Sequence, residues 1–183
     1  MADMDIMPYD ASSGGHVRIV DYPLDGSASF LRGEVVVVDA GGQLNEAATQ
    51  PDVRPAGGTA AGAVGIAAES AQGIANSRTG DGLIATAVNQ PAGVYTFDND
   101  ARFVTRQIFN NSDVVITPTV ANIGDTCSLR LGAGTEGWGI DVGGTAGVEN
   151  FVVEKVLDAD GKDAALNATT AVSAVFRLGT GLG

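Results

Sequence analysis

The sequence predicts a mainly β protein, a β-sandwich or small barrel with an extended N-terminal arm and little helix. Three observations carry this. Short runs rich in β-branched residues recur, among them Val35-Val36-Val37-Val38 and Val114-Val115-Ile116-Thr117. Turn signals separate them, such as Gly41-Gly42, Asp98-Asn99-Asp100 and Asp158-Ala159-Asp160-Gly161. Many short strands punctuated in this way build sandwiches and barrels. The apolar content of 44% is mostly Val and Ala with only 5% aromatic residues, which suits a thin, layered core.

Residues 1–29 read as an arm. Pro8, Gly14-Gly15, Pro23 and Asp25-Gly26 are loop punctuation, and only His16-Val17-Arg18-Ile19-Val20 has strand character. From residue 30 the signal strengthens. Val35 to Val38 form a strand, Ala40-Gly41-Gly42 a turn, and Gln43-Leu44 the start of a returning strand, which together make a hairpin. Residues 46–62 form a loop with Pro51, Pro55 and Gly57-Gly58. Ala63-Val64-Gly65-Ile66-Ala67 is a short apolar strand, in which Gly65 permits close backbone packing. The pattern also admits a brief helix over 66–76. Strands follow over 82–88 and 94–97.

Residues 101–109 fit a helical face through Phe103, Val104, Ile108 and Phe109, but their β-branched content favours strand. Val114 to Thr117 is a strand ended by Pro118. Thr126 to Leu131 is another, with Cys127, Leu129 and Leu131 alternating against polar positions. The glycines of 135–150 predict an irregular loop. Residues 151–157 pair across the 158–161 turn. The last strand, 172–178, sets Val172, Ala174, Phe176 and Leu178 against Ser173, Val175 and Arg177.

Charge excludes one class of partner. The net charge is -12, and the 10 basic residues are scattered rather than gathered in a stripe. A duplex-binding surface needs clustered Lys and Arg to release counterions, so direct nucleic-acid binding is not expected. No apolar run reaches the roughly 18 residues that span a bilayer, and residues 1–10 carry no basic n-region, so neither membrane nor signal peptide is expected. With only Cys127 there is no intramolecular disulfide, which fits a reducing site of assembly.

The candidate motifs have structural explanations. Gly132-Ala133-Gly134-Thr135-Glu136-Gly137 satisfies G-x-G-x-x-G after a strand. A dinucleotide site needs a helix to open at the third glycine, whereas Trp138-Gly139-Ile140-Asp141-Val142-Gly143-Gly144 is a poor helix. The 158–163 segment resembles part of a calcium loop, but Gly161 falls at position four and Lys162 at position five; a hairpin turn accounts for it. His16 is the only histidine, with Ser12 and Ser13 as nearby hydroxyls and no G-x-S-x-G elbow. Cys127 reads as a small core residue. One Cys and one His make no zinc set. Asn110-Asn111-Ser112 and Asn167-Ala168-Thr169 match the glycosylation pattern, although nothing in the sequence implies secretion. No catalytic residue, cofactor or metal is expected, and the chain is read as not an enzyme.

An ordered set of features resembles the capsid decoration (cement) proteins of tailed bacteriophages, the phage lambda head decoration protein family. An arm precedes Arg32-Gly33-Glu34-Val35-Val36-Val37-Val38-Asp39, then come a turn and Gln43-Leu44, a Gly/Pro loop, Gly62-Ala63-Val64-Gly65-Ile66-Ala67-Ala68, and a strand over 83–88. The resemblance covers about a third of the chain. It divides the β-rich body, 30–183, into a lambda-like core over 30–100 and an enlarged β half over 101–183. It implies a β-tulip-like body, a homotrimer on the outer surface of a capsid assembled in the bacterial cytoplasm, and binding to the major capsid protein. It also implies an arm that docks by strand addition, with Val17, Ile19 and Tyr22 as anchors. The competing expectations are another virion module (tail tube, head fibre or receptor-binding domain), a two-carboxylate hydrolase, and a carbohydrate-binding sandwich, the last disfavoured by few aromatic residues.

Overall fold

The computed structural model describes residues 6–9, 17–47, 51, 53, 62–72, 84–85, 91–98, 101–110, 112, 114–133, 137–143, 151–165 and 171–179. Among these, strands dominate, and the single helical turn is a 3-10 turn at Val120–Asn122. The strands are β1 (Ile6–Pro8), β2 (Ile19–Pro23), β3 (Val35–Val38), β4 (Leu44–Glu46), β5 (Gly62–Ala67), β6 (Ala71–Gln72) and β7 (Ile84–Ala85). They continue as β8 (Pro91–Thr96), β9 (Arg102–Thr105), β10 (Ile108–Asn110), β11 (Thr126–Leu131), β12 (Trp138–Val142), β13 (Phe151–Leu157) and β14 (Ser173–Leu178). The mainly β expectation holds.

One sheet has five strands in the order β2-β8-β5-β3-β4, the other seven in the order β1-β9-β14-β13-β11-β12-β10; β6 and β7 form a separate pair, with Ala71 also bridged to Phe30. The predicted hairpin is β3–β4, with Val38 opposite Leu44. Its turn is held by Asp39, whose Oδ1 accepts the Gln43 amide at 2.9 Å. Gly65 performs the expected close approach: a Cβ there would lie 2.1 Å from the Tyr95 carbonyl oxygen of β8.

The seven-stranded sheet cannot be flat. β9 and β10 stand second and seventh in its order, yet only Arg106 and Gln107 separate them in the chain. Thr105 and Ile108 are therefore within about 11 Å of each other. Five strand spacings in a flat sheet would hold them about 24 Å apart. The sheet curls until the bent run 102–110 belongs to both its ends, pairing with β14 through its first half and with β12 through its second. Ile140 donates to the Gln107 carbonyl at 3.0 Å across this seam.

This closure explains the largest departure from expectation. The 135–150 stretch is not all loop, because β12 lies within it and every residue of β12 is buried. Gly139, which made the stretch look irregular, is demanded by the seam. A Cβ at that position would lie 2.0 Å from the Gln107 carbonyl oxygen. Residues 101–109 form two strands, as their β-branched content favours, and 66–76 carries the end of β5 and all of β6 with no helix in its described residues. In β14 the expected alternation is incomplete: Ser173 and Val175 are buried along with Ala174, Phe176 and Leu178.

The main core is shared by both sheets. Val35, Ala63, Ile66 and Phe97 meet Phe103, Ile108, Leu129, Trp138, Ile140, Phe151 and Phe176. Phe97 packs edge-on against Phe103 and Phe151, with ring centroids 5.3 and 5.0 Å apart. Cys127 is buried in this core, as expected. The opposite face of the five-stranded sheet has a second core. There Val36, Val38, Val64, Ala67, Ala92 and Val94 lie under Leu24, Ala28 and Phe30.

The segment expected as an arm supplies an edge strand to each sheet. β1 pairs with β9 at one edge of the curled sheet, and β2 pairs with β8 at one edge of the smaller sheet. Ile6 is fully buried in the shared core.

Candidate functional site

The three predicted anchors all fall beside or on β2, but they do not converge. Val17 is half-buried against the shared core. Tyr22 is half-buried against the second core, on the other face of the sheet. Ile19 is 55% exposed. Two of the three are thus occupied in holding the strand to its own body, and Ile19 is the one left to meet a partner. Alternation at period two separates residues 17 and 19 from residue 22.

What β2 offers is backbone. Thr96 donates to the Arg18 carbonyl at 3.0 Å, and Ile19 stands opposite Tyr95. In an antiparallel ladder, hydrogen-bonded and non-bonded positions alternate. Arg18, Val20 and Tyr22 therefore aim their main-chain groups at β8, while Ile19 and Asp21 aim theirs outward. Pro23 follows with a carbonyl and no amide proton. The free edge is two donors long. That is enough to start strand addition, in which backbone bonds give affinity and alternate side chains give specificity. Among the described residues no group accepts from or donates to the outward positions of Ile19 and Asp21.

The sequence reading missed a polar network on the outer face of the curled sheet. Glu154 is the extra residue in a bulge of β13, between Val153 opposite Phe176 and Lys155 opposite Val175. A bulge re-aims its side chain, and here Glu154 reaches Arg102 two strands away. Arg102 binds it through two nitrogens, Nε to Oε2 and Nη2 to Oε1, the latter at 3.0 Å. Arg177, opposite Arg102 in the register, lies 4.0 Å from Oε1. The Arg102 hydrogen bonds hold the Glu154 carboxyl below its ordinary value, against a smaller opposing effect of burial. Lys155 bridges to Asp163 at 3.2 Å and sits 5.1 Å from the centre of the Tyr9 ring. Burial pulls its pKa down, but the hydrogen bonds and charges of Asp163 and Tyr9 outweigh that and raise it.

A second group lies between β11 and β12. Asp141 is 1% exposed and pairs with Arg130 at 2.6 Å. Ser128 stands directly opposite Asp141. Among the described residues neither the Ser128 hydroxyl nor Asp141 Oδ1 has a hydrogen-bond partner. The alternation of β11 could have disclosed Arg130 as an outer-face residue; Asp141 was hidden in a stretch read as loop.

The suspect motifs resolve into turns. Gly132 donates to the Gly137 carbonyl at 3.1 Å and Leu131 faces Trp138, so the two end glycines of the G-x-G-x-x-G run close the antiparallel β11–β12 pair, and residues 134–136 lie outside the described residues. Asp158 Oδ1 accepts the amides of Asp160 and Lys162 at 2.9 and 3.0 Å, which makes that segment a hairpin turn. Asn110 Oδ1 likewise accepts the amides of Ser112 and Val114. His16, Ser12, Ser13 and the 167–169 segment lie outside the described residues. Among the described residues no three His, Cys, Asp or Glu side chains gather as a metal set, and no helix is long and apolar enough to cross a membrane.

Comparison with protein-family models, with curated proteins and with solved structures finds no match for this chain.

Proposed function

We propose that this chain is a structural virion protein. In this reading it binds the outside of a phage capsid as a homotrimer and stabilises the shell by bridging major capsid subunits, with no catalysis, cofactor, nucleic acid or membrane involved. The observation that carries the reading is the ordered resemblance over residues 30–88, joined to an N-terminal segment whose β2 edge has free donors and acceptors. A mainly β body with an exposed strand edge suits strand addition to a shell subunit. A net charge of -12 favours the solvent side of the shell over the side facing packaged DNA. Trimeric bridging multiplies weak contacts through effective concentration.

The test adds the purified protein to capsids lacking it and locates bound density in a reconstruction. Occupancy at threefold and quasi-threefold positions is expected. No binding, or density on a tail or fibre, overturns the proposal. Deleting residues 1–25 is a poor probe of the edge, because it strips β1 and all of β2 from their sheets. Ile19→Asp and Asp21→Pro address it directly; the second removes one outward donor. Each is expected to weaken capsid binding at least tenfold. Wild-type affinity in both sinks the strand-addition mechanism.

A further inference from the structure

The two sheets present four edges, and they are protected unequally. At β1, Pro8 has no amide proton and the Ile6 amide is taken by the Gly33 carbonyl at 3.4 Å. At β4, the 24–29 segment covers the edge: Leu24 bridges to Leu44, and Asp25 donates to the Leu44 carbonyl at 3.0 Å. At β2, exposed Asp21 and then Pro23 limit the edge. Charges, prolines and coverings of this kind keep sheets from pairing edge to edge.

The fourth edge lacks such a device between Asp113 and Pro118. Residues 114–116 lie along β10: Asn110 donates to the Val114 carbonyl at 3.0 Å and Ile116 to the Ile108 carbonyl at 2.7 Å. Phe109 and Val115 face each other between those bonds. By the same alternation, Val115 and Thr117 aim their amides and carbonyls outward. Among the described residues nothing bonds to them. Val114 and Val115 are 54% and 42% exposed. The strip Val114-Val115-Ile116-Thr117 is β-branched throughout and uncharged.

We infer that this edge pairs with the same edge of a second copy, antiparallel about a two-fold axis at Val115. The self-complementary register selects the occupant, and charge restricts where two copies can meet. Each copy carries -12, so two copies meet most easily where neither presents an acid. The β2 edge fails that condition, since pairing it with itself brings two Asp21 side chains close together. The 114–117 strip meets it. It is also self-complementary: centred on Val115, the pairing exchanges two Val115 hydrogen bonds and sets Val114 opposite Ile116 of the second copy. Facing β-branched residues support each other across strands. A two-fold contact is isologous, so it is separate from three-fold assembly and doubles whichever species, monomer or trimer, is present.

Sedimentation equilibrium on the full chain over a range of concentrations tests this. The expected result is a reversible doubling of mass that strengthens as salt screens the like charges. Val115→Asp places two acids opposite each other and is expected to weaken the doubling at least tenfold. Leu31→Asp, at a 56% exposed apolar position elsewhere, is expected to leave it unchanged. A single mass at all concentrations, doubling that weakens with salt, or equal losses in both variants overturns the inference. Should Val115→Asp melt well below the wild type, hydrogen exchange on the wild type decides. Protection of the Val115 amide that rises with concentration supports the pairing, and protection independent of concentration refutes it.

Discussion

The two cores on either side of the five-stranded sheet differ in what fills them. The shared core holds Phe97, Phe103, Phe151, Phe176 and Trp138 inside a sheet that closes on itself. Among the described residues the second core is Val, Ala and Leu with Phe30 as its one buried aromatic and Tyr22 at its margin, beneath a short covering segment. A curled sheet encloses a volume that only large side chains fill at native density. A thin layer between a sheet and a loop needs small ones. The lesson is a division of labour. The curled sheet encloses the aromatic core, and the five-stranded sheet carries the β2 edge on which the proposed strand addition rests.

That contrast breaks most sharply at the seam. Gly139→Ala puts a Cβ where the Gln107 carbonyl oxygen already stands, 2.0 Å away. Backbone, unlike a flexible side chain, cannot swing aside, so β10 and β12 must separate. The expected loss is roughly 4 kcal/mol or more, in the range reserved for core disruption. Urea denaturation followed by tryptophan fluorescence reads it, since Trp138 lies in β12 itself. A loss under about 1 kcal/mol would mean the sheet is not closed there.

Next come the cores themselves. Phe103→Ala empties an aromatic site contacting Phe97 and Phe176 and is expected to cost about 3–5 kcal/mol. Leu44→Ala, in the second core, is expected near the lower end of its class, about 2 kcal/mol, because the 24–29 covering can settle onto the gap. The cost depends on how far a site can collapse, so equal losses would show that the two cores are equally rigid.

How much of this was legible follows the same division. The β3–β4 hairpin, β11 and the 158–161 turn were readable because their signals are local: a β-branched run, an alternation, an Asp-containing turn. Of the three anchors only Ile19 was placed on a strand correctly, since Val17 precedes β2 and Tyr22, read as loop, lies in it; which of them face a partner depended on pairing with β8, 70 or more residues away. β12 was unreadable for a definite reason. Gly139 answers to Gln107, a neighbour made only by closure, and a glycine serving a distant carbonyl looks like loop. Asp141 was lost with it, as was Glu154, whose direction depends on a bulge that sequence alternation conceals.

Arg130→Met tests the buried pair on the outer face of the curled sheet. It leaves the Asp141 carboxylate 1% exposed without the guanidinium that binds it. Breaking a buried pair from one side costs about 3 kcal/mol. Adding Asp141→Leu removes the stranded charge, so the double variant is expected to recover most of the loss. No recovery would place the cost in the packing of the Arg130 stem and not in charge.

The smallest effect is the most diagnostic of the outer network. Glu154 sits between Arg102 and Arg177, and the Arg102 hydrogen bonds hold its folded pKa below the ordinary glutamate value of 4.5. A depressed carboxylate stabilises the fold fully above its unfolded pKa. That contribution is lost as pH falls from about 4.5 through the folded value, because the unfolded chain takes up the proton first. Glu154→Gln keeps the shape but leaves the two arginines facing each other, and with both partly solvated the cost at neutral pH is about 1 kcal/mol. Its signature is the pH profile of melting. Wild type and variant should differ at pH 7, converge as pH drops below about 4.5, and meet once the wild-type carboxyl is protonated. A constant offset down to strongly acid pH would mean that Glu154 acts through packing of the β13 bulge alone, and that the Arg102 bridge contributes nothing to holding β9 and β13 on either side of β14.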